Sequence, residues 1–496
     1  MSVRPKLKVG LEIHTQLQTI SKLFSLSPNS TSNLSIAPNT TTSFFDVSLP
    51  GTQPKLNHQC LLNSLKLAIS LNCEISSISS FDRKHYFYGD QPLGYQLTQH
   101  YNPIAKNGYL NLLKKYNSKL SRDVKINIQQ LQIEQDTGRS IYHSINSNSS
   151  NIDFNRSNIP LIEMVTLPDF ENINEVRAFL QNYIKLVQDL KICTGDLETG
   201  ALRVDVNINV TGHQRVEIKN LPTISAIINA IRYEEKRQLL NISNNNLSNE
   251  IETRGWDGKK TYHLRSKEST VDYRYVPDME LPKIKLNLND LLPKIEETLP
   301  ISVNEKLAIL MNSIDKNGYS LTLRDAKILI NNDLLLNYFK NCWEIINDEK
   351  IKIKIINWLV HELLGALTKN NIEFNDDIIS TKSFTDLIIS VETGLITKSN
   401  GKLILLHLVS NKNDQLKNIK DLADEFGMIA SENSIDSNDL DNLVNKIINE
   451  NEKIANEIRK GKVKKINFLI GLLMRETGGN IPPKVFEDRI KHFLEI

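Results

Sequence analysis

Strict alternation of apolar and polar residues marks the first half of the chain. In Lys6 to Gln18, Leu7, Val9, Leu11 and Ile13 are apolar while Lys8, Glu12, His14 and Gln16 are polar, the period of a half-buried strand. Leu202 to Val210 repeats the pattern, with Leu202, Val204, Val206, Ile208 and Val210 on one side and Arg203, Asp205, Asn207 and Asn209 on the other. Thr211-Gly212 then signals a turn, and a partner strand follows with Glu217 and Lys219 on its polar face. Spacings of three and four predict helices over Glu175 to Leu190, with Val176, Phe179, Leu180, Tyr183, Val187 and Leu190 on one stripe, and over Ser225 to Leu240, opened by Thr223 as a cap. Beyond about Pro293 only helical periodicity remains, as in ISVNEKLAILMNS, TLRDAKILINN and LLLNYFKNCWEIIN.

This order of patterns predicts an α+β protein. A mixed-sheet domain over residues 1–290 is followed by an all-helical domain over 291–410 and a small helical tail domain over 411–496. In the tail, an amphipathic helix around Leu440 to Ile458 precedes the basic run Arg459 to Lys465. The Asn- and Ser-rich stretches Ser144 to Asn151 and Asn241 to Asn249 read as solvated loops.

Composition removes several classes of function. The 496 residues carry a net charge of only +2, so any nucleic-acid footprint has to be local. The four cysteines, Cys60, Cys73, Cys193 and Cys342, form no C-x-x-C pair, which suits a reducing compartment and offers no zinc site. No apolar run reaches the ~18 residues of a membrane span. The N-terminal MSVRPKLKVG enters the first strand within a few residues, leaving no room for an amphipathic transit helix. No G-x-x-x-x-G-K-[ST] is present, so a nucleotide would not be held by a P-loop.

The chemistry lies on the polar faces. Glu12 and His14 point the same way from one strand, an arrangement suited to a divalent ion or to proton transfer. In LQIEQD, Leu131 and Ile133 put Gln132, Glu134 and Asp136 on the opposite face, and Gln135 on the apolar one. Glu163 interrupts the apolar run PLIEMV. Burying an unpaired carboxylate there costs several kcal/mol, so a cation or strong donor is expected beside it, with an ion pair to Arg156 as the purely structural alternative. Arg203 and Lys219 could converge on phosphates. Arg83 and Lys84, with Tyr86 and Tyr88 after them, form a basic and aromatic cluster suited to a nucleotide. Arg265, Lys267 and Arg274 are further cationic candidates.

GLEIHTQLQTISKLFS resembles the opening signature of the B-subunit family of glutamyl- and aspartyl-tRNA amidotransferases. FDRKHYFYGDQPLGYQLTQ, IEQDTGR, DFNRSNIPLIEMV, ETGALRVDVN, VEIKNL, DYRYVPD and the C-terminal RKGKVKKINFLIGLLMRETGGN continue the resemblance in order. It implies a cradle-like catalytic domain, a helical domain and a tRNA-clasping tail in which Lys460, Lys462, Lys464 and Lys465 contact the tRNA body. It also implies ATP-dependent phosphorylation of the side-chain carboxylate on Glu-tRNA(Gln), in some settings Asp-tRNA(Asn), followed by amidation with ammonia. The resemblance makes Glu12, His14, Glu134 and Glu163 the catalytic and metal-binding candidates, with Mg²⁺ as the ion, or Mn²⁺ given the imidazole. Many relatives have two consecutive glutamates where this chain has Glu134-Gln135, leaving two candidates for one ligand. Arg83, Lys84, Tyr88, Arg203 and Lys219 become candidates for binding ATP or the acceptor end. Some relatives carry two cysteine pairs near the N-terminus; the corresponding loop has none here, so no zinc is carried over. Without a Gly/Ser-rich amidase segment, the chain is expected to need an amidase A subunit as ammonia source, together with a small third subunit. Details of the motifs resemble fungal mitochondrial members, which places the protein in the mitochondrial matrix, with a bacterial cytoplasm as the alternative.

Overall fold

The computed structural model describes residues 5–29, 36–142, 149–246, 250–267, 273–312, 319–430, 437–459 and 465–494. It divides into two compact units, Met1–Glu305 and Lys306–Ile496.

A nine-stranded sheet organises the first unit. Its strands are β1 (Leu7–Gln16), β2 (Glu74–Ile75), β3 (Ala105–Leu112), β4 (Val124–Gln135), β5 (Pro160–Thr166), β6 (Leu202–Val210), β7 (Val216–Lys219), β8 (Ile251–Trp256) and β9 (Thr261–Lys267), in the spatial order β9-β8-β7-β6-β1-β5-β4-β3-β2. All neighbours run antiparallel except β7 and β8, so the sheet is mixed. β6 and β7 form the expected hairpin across Thr211-Gly212, and Gly212 takes the positive φ of 100° that the turn needs.

Alternation divides the two faces of this sheet as the sequence predicts. Val9, Leu11 and Ile13 of β1 are at most 1% exposed, and Thr15 on the same side bonds its hydroxyl to Tyr183 Oη at 2.7 Å. Tyr183 belongs to helix α2 (Ile173–Asp189), so α2 covers that face with Val176, Phe179, Leu180 and Val187. Helices α1 (His58–Ser70) and α3 (Ile224–Ser243) contribute Leu65, Leu67, Ile227 and Ile231 to the same core. Thr223 caps α3 by accepting from the Ala226 amide at 3.0 Å. The opposite face carries Glu12, His14, Glu163 and Arg203.

Beside the sheet, a small three-stranded antiparallel sheet joins Val276–Pro277, Asp82–His85 and Tyr95–Thr98. Near the end of β1, Lys22 is completely buried, its Nζ 3.1 Å from Asp46 Oδ2 and 3.3 Å from the Phe154 carbonyl.

The described part of the second unit is built from helices, including Val303–Met311 at its boundary, Leu323–Ile330 and Asp333–Ile345. The long helix expected around Leu440 to Ile458 is two helices, Ser437–Glu450 and Glu452–Arg459, which meet at Asn451. They pack with Ile466–Glu476 and Pro483–Leu494 around Val444, Ile458, Leu469, Leu473, Phe486 and Ile490. Gly478 and Gly479, both at positive φ, end the third of these helices. Among the described residues, no helix is long and apolar enough to cross a membrane.

Candidate active site

Antiparallel register aligns the polar residues of the opposite face into rows. Arg203 of β6, His14 of β1, Glu163 of β5 and Gln132 of β4 lie directly opposite one another. Asp205, Glu12, Val165 and Gln130 form the next row. Opposed residues on neighbouring strands have their Cβ atoms about 4.5–5.5 Å apart, so side chains within a row meet.

His14 Nε2 lies 3.9 Å from Glu163 Oε1 in its own row and 3.3 Å from Oε1 of Glu134, which stands opposite Leu161 two residues along β4 from Gln132. One donor atom from each of these three residues fits within 4.8 Å. Glu163 also accepts from Gln132 Nε2, and Arg156 turns instead to Asp136 at 3.8 Å and to the Thr137 and Gly138 carbonyls. The structural alternative for Glu163, an ion pair with Arg156, is therefore not formed. Burial, then the neighbouring Glu163 charge, pushes the Glu134 carboxyl up to about 7, with His14, Lys84 and Arg203 pulling the other way. Two carboxylates and one imidazole held this closely can bind a divalent cation; the oxygens suit Mg²⁺ and the nitrogen makes Mn²⁺ acceptable.

Glu134, not Gln135, is the residue beside His14. Gln135 is buried on the far side of β4 among Phe45, Asp46 and Leu93. Strand alternation alone accounts for the difference.

Of the four residues expected from the sequence to share one site, the structure brings His14, Glu134 and Glu163 together and sets Glu12 in a neighbouring group. It falls instead within 4.8 Å of Asp205 and Glu217, and Asn207 Nδ2 donates to its Oε1 at 2.7 Å. The neighbours in its own row account for this. Residues two apart on one strand are about 6.6–6.8 Å apart along it, and the Glu12 row offers Val165 on one side and Asp205 on the other. Lys219 Nζ bridges this second acidic group, 2.7 Å from Asp205 Oδ2 and 3.0 Å from Glu217 Oε1. Burial raises the Glu12 pKa; the Asn207 bond opposes it, and Glu163 and Glu217 add to the rise. Asp205 and Glu217 were absent from the candidate set, although the charge density of the β6–β7 hairpin was a visible signal.

The cations separate by environment. Arg203 Nη2 is 3.0 Å from Asp136 Oδ2. Burial alone would raise the Asp136 pKa, but Arg203 and then Arg156 hold it below the ordinary carboxylate value. Arg83 points away from the carboxylates, bound to Asp278 at 2.6 Å and lying 4.6 Å over the Tyr95 ring. Lys84 faces the other way, with its ammonium 4.6 Å above the Tyr273 ring and its charge felt at Glu134. Tyr88 is 64% exposed and packs edge-on against Tyr86. Arg274 adopts φ 45°, while Arg265 lies on the edge strand β9. Lys267 ends that strand, and its side chain lies outside the described residues. Lys460, Lys462 and Lys464 lie outside them as well; Lys465 is described, is exposed, and pairs with Glu457.

The catalytic-domain model of the GatB/GatE family matches residues 7–291, and a GatB domain model matches residues 337–494. The mitochondrial B subunit of glutamyl-tRNA(Gln) amidotransferase from Komagataella phaffii is 45% identical over 496 residues, covering 99% of each chain. The protein of the same name from Scheffersomyces stipitis is 46% identical over 495 residues, covering 99% of this chain and 96% of its own. That of Candida glabrata is 44% identical over 519 residues, covering 99% and 94%. The two carboxylate groups described above lie within the span of the catalytic-domain match. This chain belongs to the family of the glutamyl-tRNA(Gln) amidotransferase B subunit.

Proposed function

We propose that this chain is the activating subunit of a glutamine-dependent tRNA amidotransferase acting on Glu-tRNA(Gln). One observation carries the reading: His14, Glu134 and Glu163 converge within 4.8 Å on the polar face of the sheet, within the span of the family's catalytic domain. A carboxylate oxygen is a poor leaving group. ATP removes that obstacle when the side-chain carboxylate of the tRNA-bound glutamate attacks the γ-phosphorus and ADP departs. Ammonia then attacks the acyl carbon, phosphate leaves with the bonding electrons, and a proton is lost from nitrogen. Such phosphoryl transfer asks the protein chiefly for positioning and charge neutralisation.

His14, Glu134 and Glu163 would hold a divalent cation, which supplies neutralisation of phosphate charge when bound. Lys84 meets phosphate oxygens. Arg203 holds Asp136, and Lys219 balances the acids around Glu12. Ammonia comes from an amidase partner subunit in a complex with a small third subunit. The basic segment at Lys460, Lys462, Lys464 and Lys465 grips the tRNA body through its phosphates. The three relatives named above are mitochondrial proteins by name, which supports a mitochondrial location, here assigned to the matrix.

The test is ATP turnover by the purified complex with and without Glu-tRNA(Gln). Turnover stimulated by the charged tRNA is expected. Equal turnover with uncharged tRNA(Gln), or turnover unchanged by His14→Ala, would remove the reading.

A further inference from the structure

Arg203 stands directly opposite His14 in the register of β1 against β6, beside the three residues that converge on a cation. A guanidinium in that place is a hazard to the site, because a carboxylate already paired with arginine is a poor ligand for a metal ion. Among the described residues, however, the ion-pair partner of Arg203 is Asp136, with Nη2 3.0 Å from Oδ2. Its Nε is buried and has no hydrogen-bond partner. The guanidinium is therefore held at one corner.

Asp136 is fixed more firmly than the group it holds. It directly follows β4, its amide donating to the Ile159 carbonyl at 2.8 Å and its carbonyl accepting from the Asn158 amide at 2.9 Å. Oδ1 accepts from the Thr137 amide at 2.9 Å, and Oδ2 from Gln16 Nε2 at 3.4 Å. The second arginine nearby, Arg156, lies 3.8 Å away but is anchored independently, by the Thr137 and Gly138 carbonyls at 3.0 and 2.7 Å. Loss of the Asp136 charge would thus free Arg203 and leave Arg156 in place.

The destination of a freed Arg203 follows from the charges around it. After Asp136, the carboxylate it feels most is Glu134, ahead of Asp205, which Lys219 already holds at 2.7 Å. Glu134 is the one buried member of the cation-binding three. An incoming ion would have to displace a charged hydrogen bond there and face an unbalanced guanidinium.

We propose that Asp136 is a positioning residue, which ties Arg203 back so that Glu134 stays free for the divalent cation. It acts through Arg203 and is not itself a ligand. The proposal rests on the metal reading above and deepens it by assigning a role to a side chain outside the cation-binding three.

Mn²⁺ binding to the whole complex, followed by calorimetry without ATP or tRNA, tests it, with His14→Ala marking the site. Asp136→Asn should raise the Kd for Mn²⁺ about tenfold, the scale of one charged hydrogen bond to be displaced. Adding Arg203→Gln should return the Kd to within about threefold of wild type, the non-additivity of two residues that act as a pair. The double variant leaves no unpaired Arg203, so it decides the matter even where Asp136→Asn alone does not fold. A double variant weakened about tenfold overturns the proposal, because Asp136 would then act on the site without Arg203. So does an Asp136→Asn variant that binds Mn²⁺ as tightly as wild type. A wild-type complex with no Mn²⁺ binding that His14→Ala removes would sink the metal reading itself, and the proposal with it.

Discussion

Replacing Glu134 by glutamine should stabilise the metal-free protein while destroying its activity. Glu134 is 3% exposed, sits 3.3 Å from His14, and feels the Glu163 charge. Its pKa rises from 4.5 to about 7. At ~1.4 kcal/mol per tenfold change in proton affinity, that rise costs on the order of 3 kcal/mol for an ionised Glu134. The sign follows from an acid whose folded pKa is raised. Relative to the fully protonated state, stability is intact below pH 4.5, is lost progressively up to about pH 7, and stays reduced above that. Glutamine has the same shape without the charge, so Glu134→Gln should be more stable in chelator at pH 7.5. The gain should be up to about 3 kcal/mol, shrinking to nothing near pH 4.5. With Mg²⁺ or Mn²⁺ and Glu-tRNA(Gln), the same variant should lose ATP turnover by at least ~10²–10³, the usual loss for one charge-stabilising group. Gln135→Ala, on the opposite face, should retain turnover within a fewfold. Denaturant melts of the metal-free complex at several pH values, set beside turnover assays, decide the matter. A less stable Glu134→Gln with near-normal turnover, or a Gln135→Ala more damaging to turnover than Glu134→Gln, would refute the argument from strand faces and buried charge.

Two further predictions concern other parts of the chain. Lys22→Met should cost about 3 kcal/mol, the lower end for breaking a buried pair, because Asp46 keeps bonds from the Ser43 amide and Asn158. Adding Asp46→Asn should recover part of that loss; a double variant no more stable than Lys22→Met would show that the charges themselves do not matter. Neutralising Lys460, Lys462, Lys464 and Lys465 together should reduce the magnitude of the salt-dependence slope of tRNA binding by about 3, at ~0.7–0.9 per phosphate contact. An unchanged slope in filter binding would make the segment an ordinary solvated charge run.

Local alternation was enough to determine which residues share a face. The period of two in β1, β4 and β6 puts Glu12, His14, Glu134 and Arg203 on the polar side and Gln135 on the apolar one, because successive Cβ atoms of a strand point oppositely. The helical stripe of α2 and the Thr223 cap of α3 were equally local, set by residues three or four apart. Three things needed tertiary structure. The neighbours of a strand are chosen by pairing across long stretches of sequence, and the register of β1 against β5 and β6 decides that His14 meets Glu163 while Glu12 meets Asp205. That register divided one expected carboxylate set into two, the second balanced by Lys219. Alternation sends Arg83 and Lys84 to opposite sides, but the partner each meets there, Asp278 for Arg83 and Tyr273 for Lys84, comes from a segment nearly two hundred residues away. That segment is brought in by the pairing of Val276–Pro277 with Asp82–His85. Side-chain direction along a strand is a property of consecutive residues. Which strands lie side by side, and in what register, depends on where distant segments bury their apolar faces, and no local pattern specifies that.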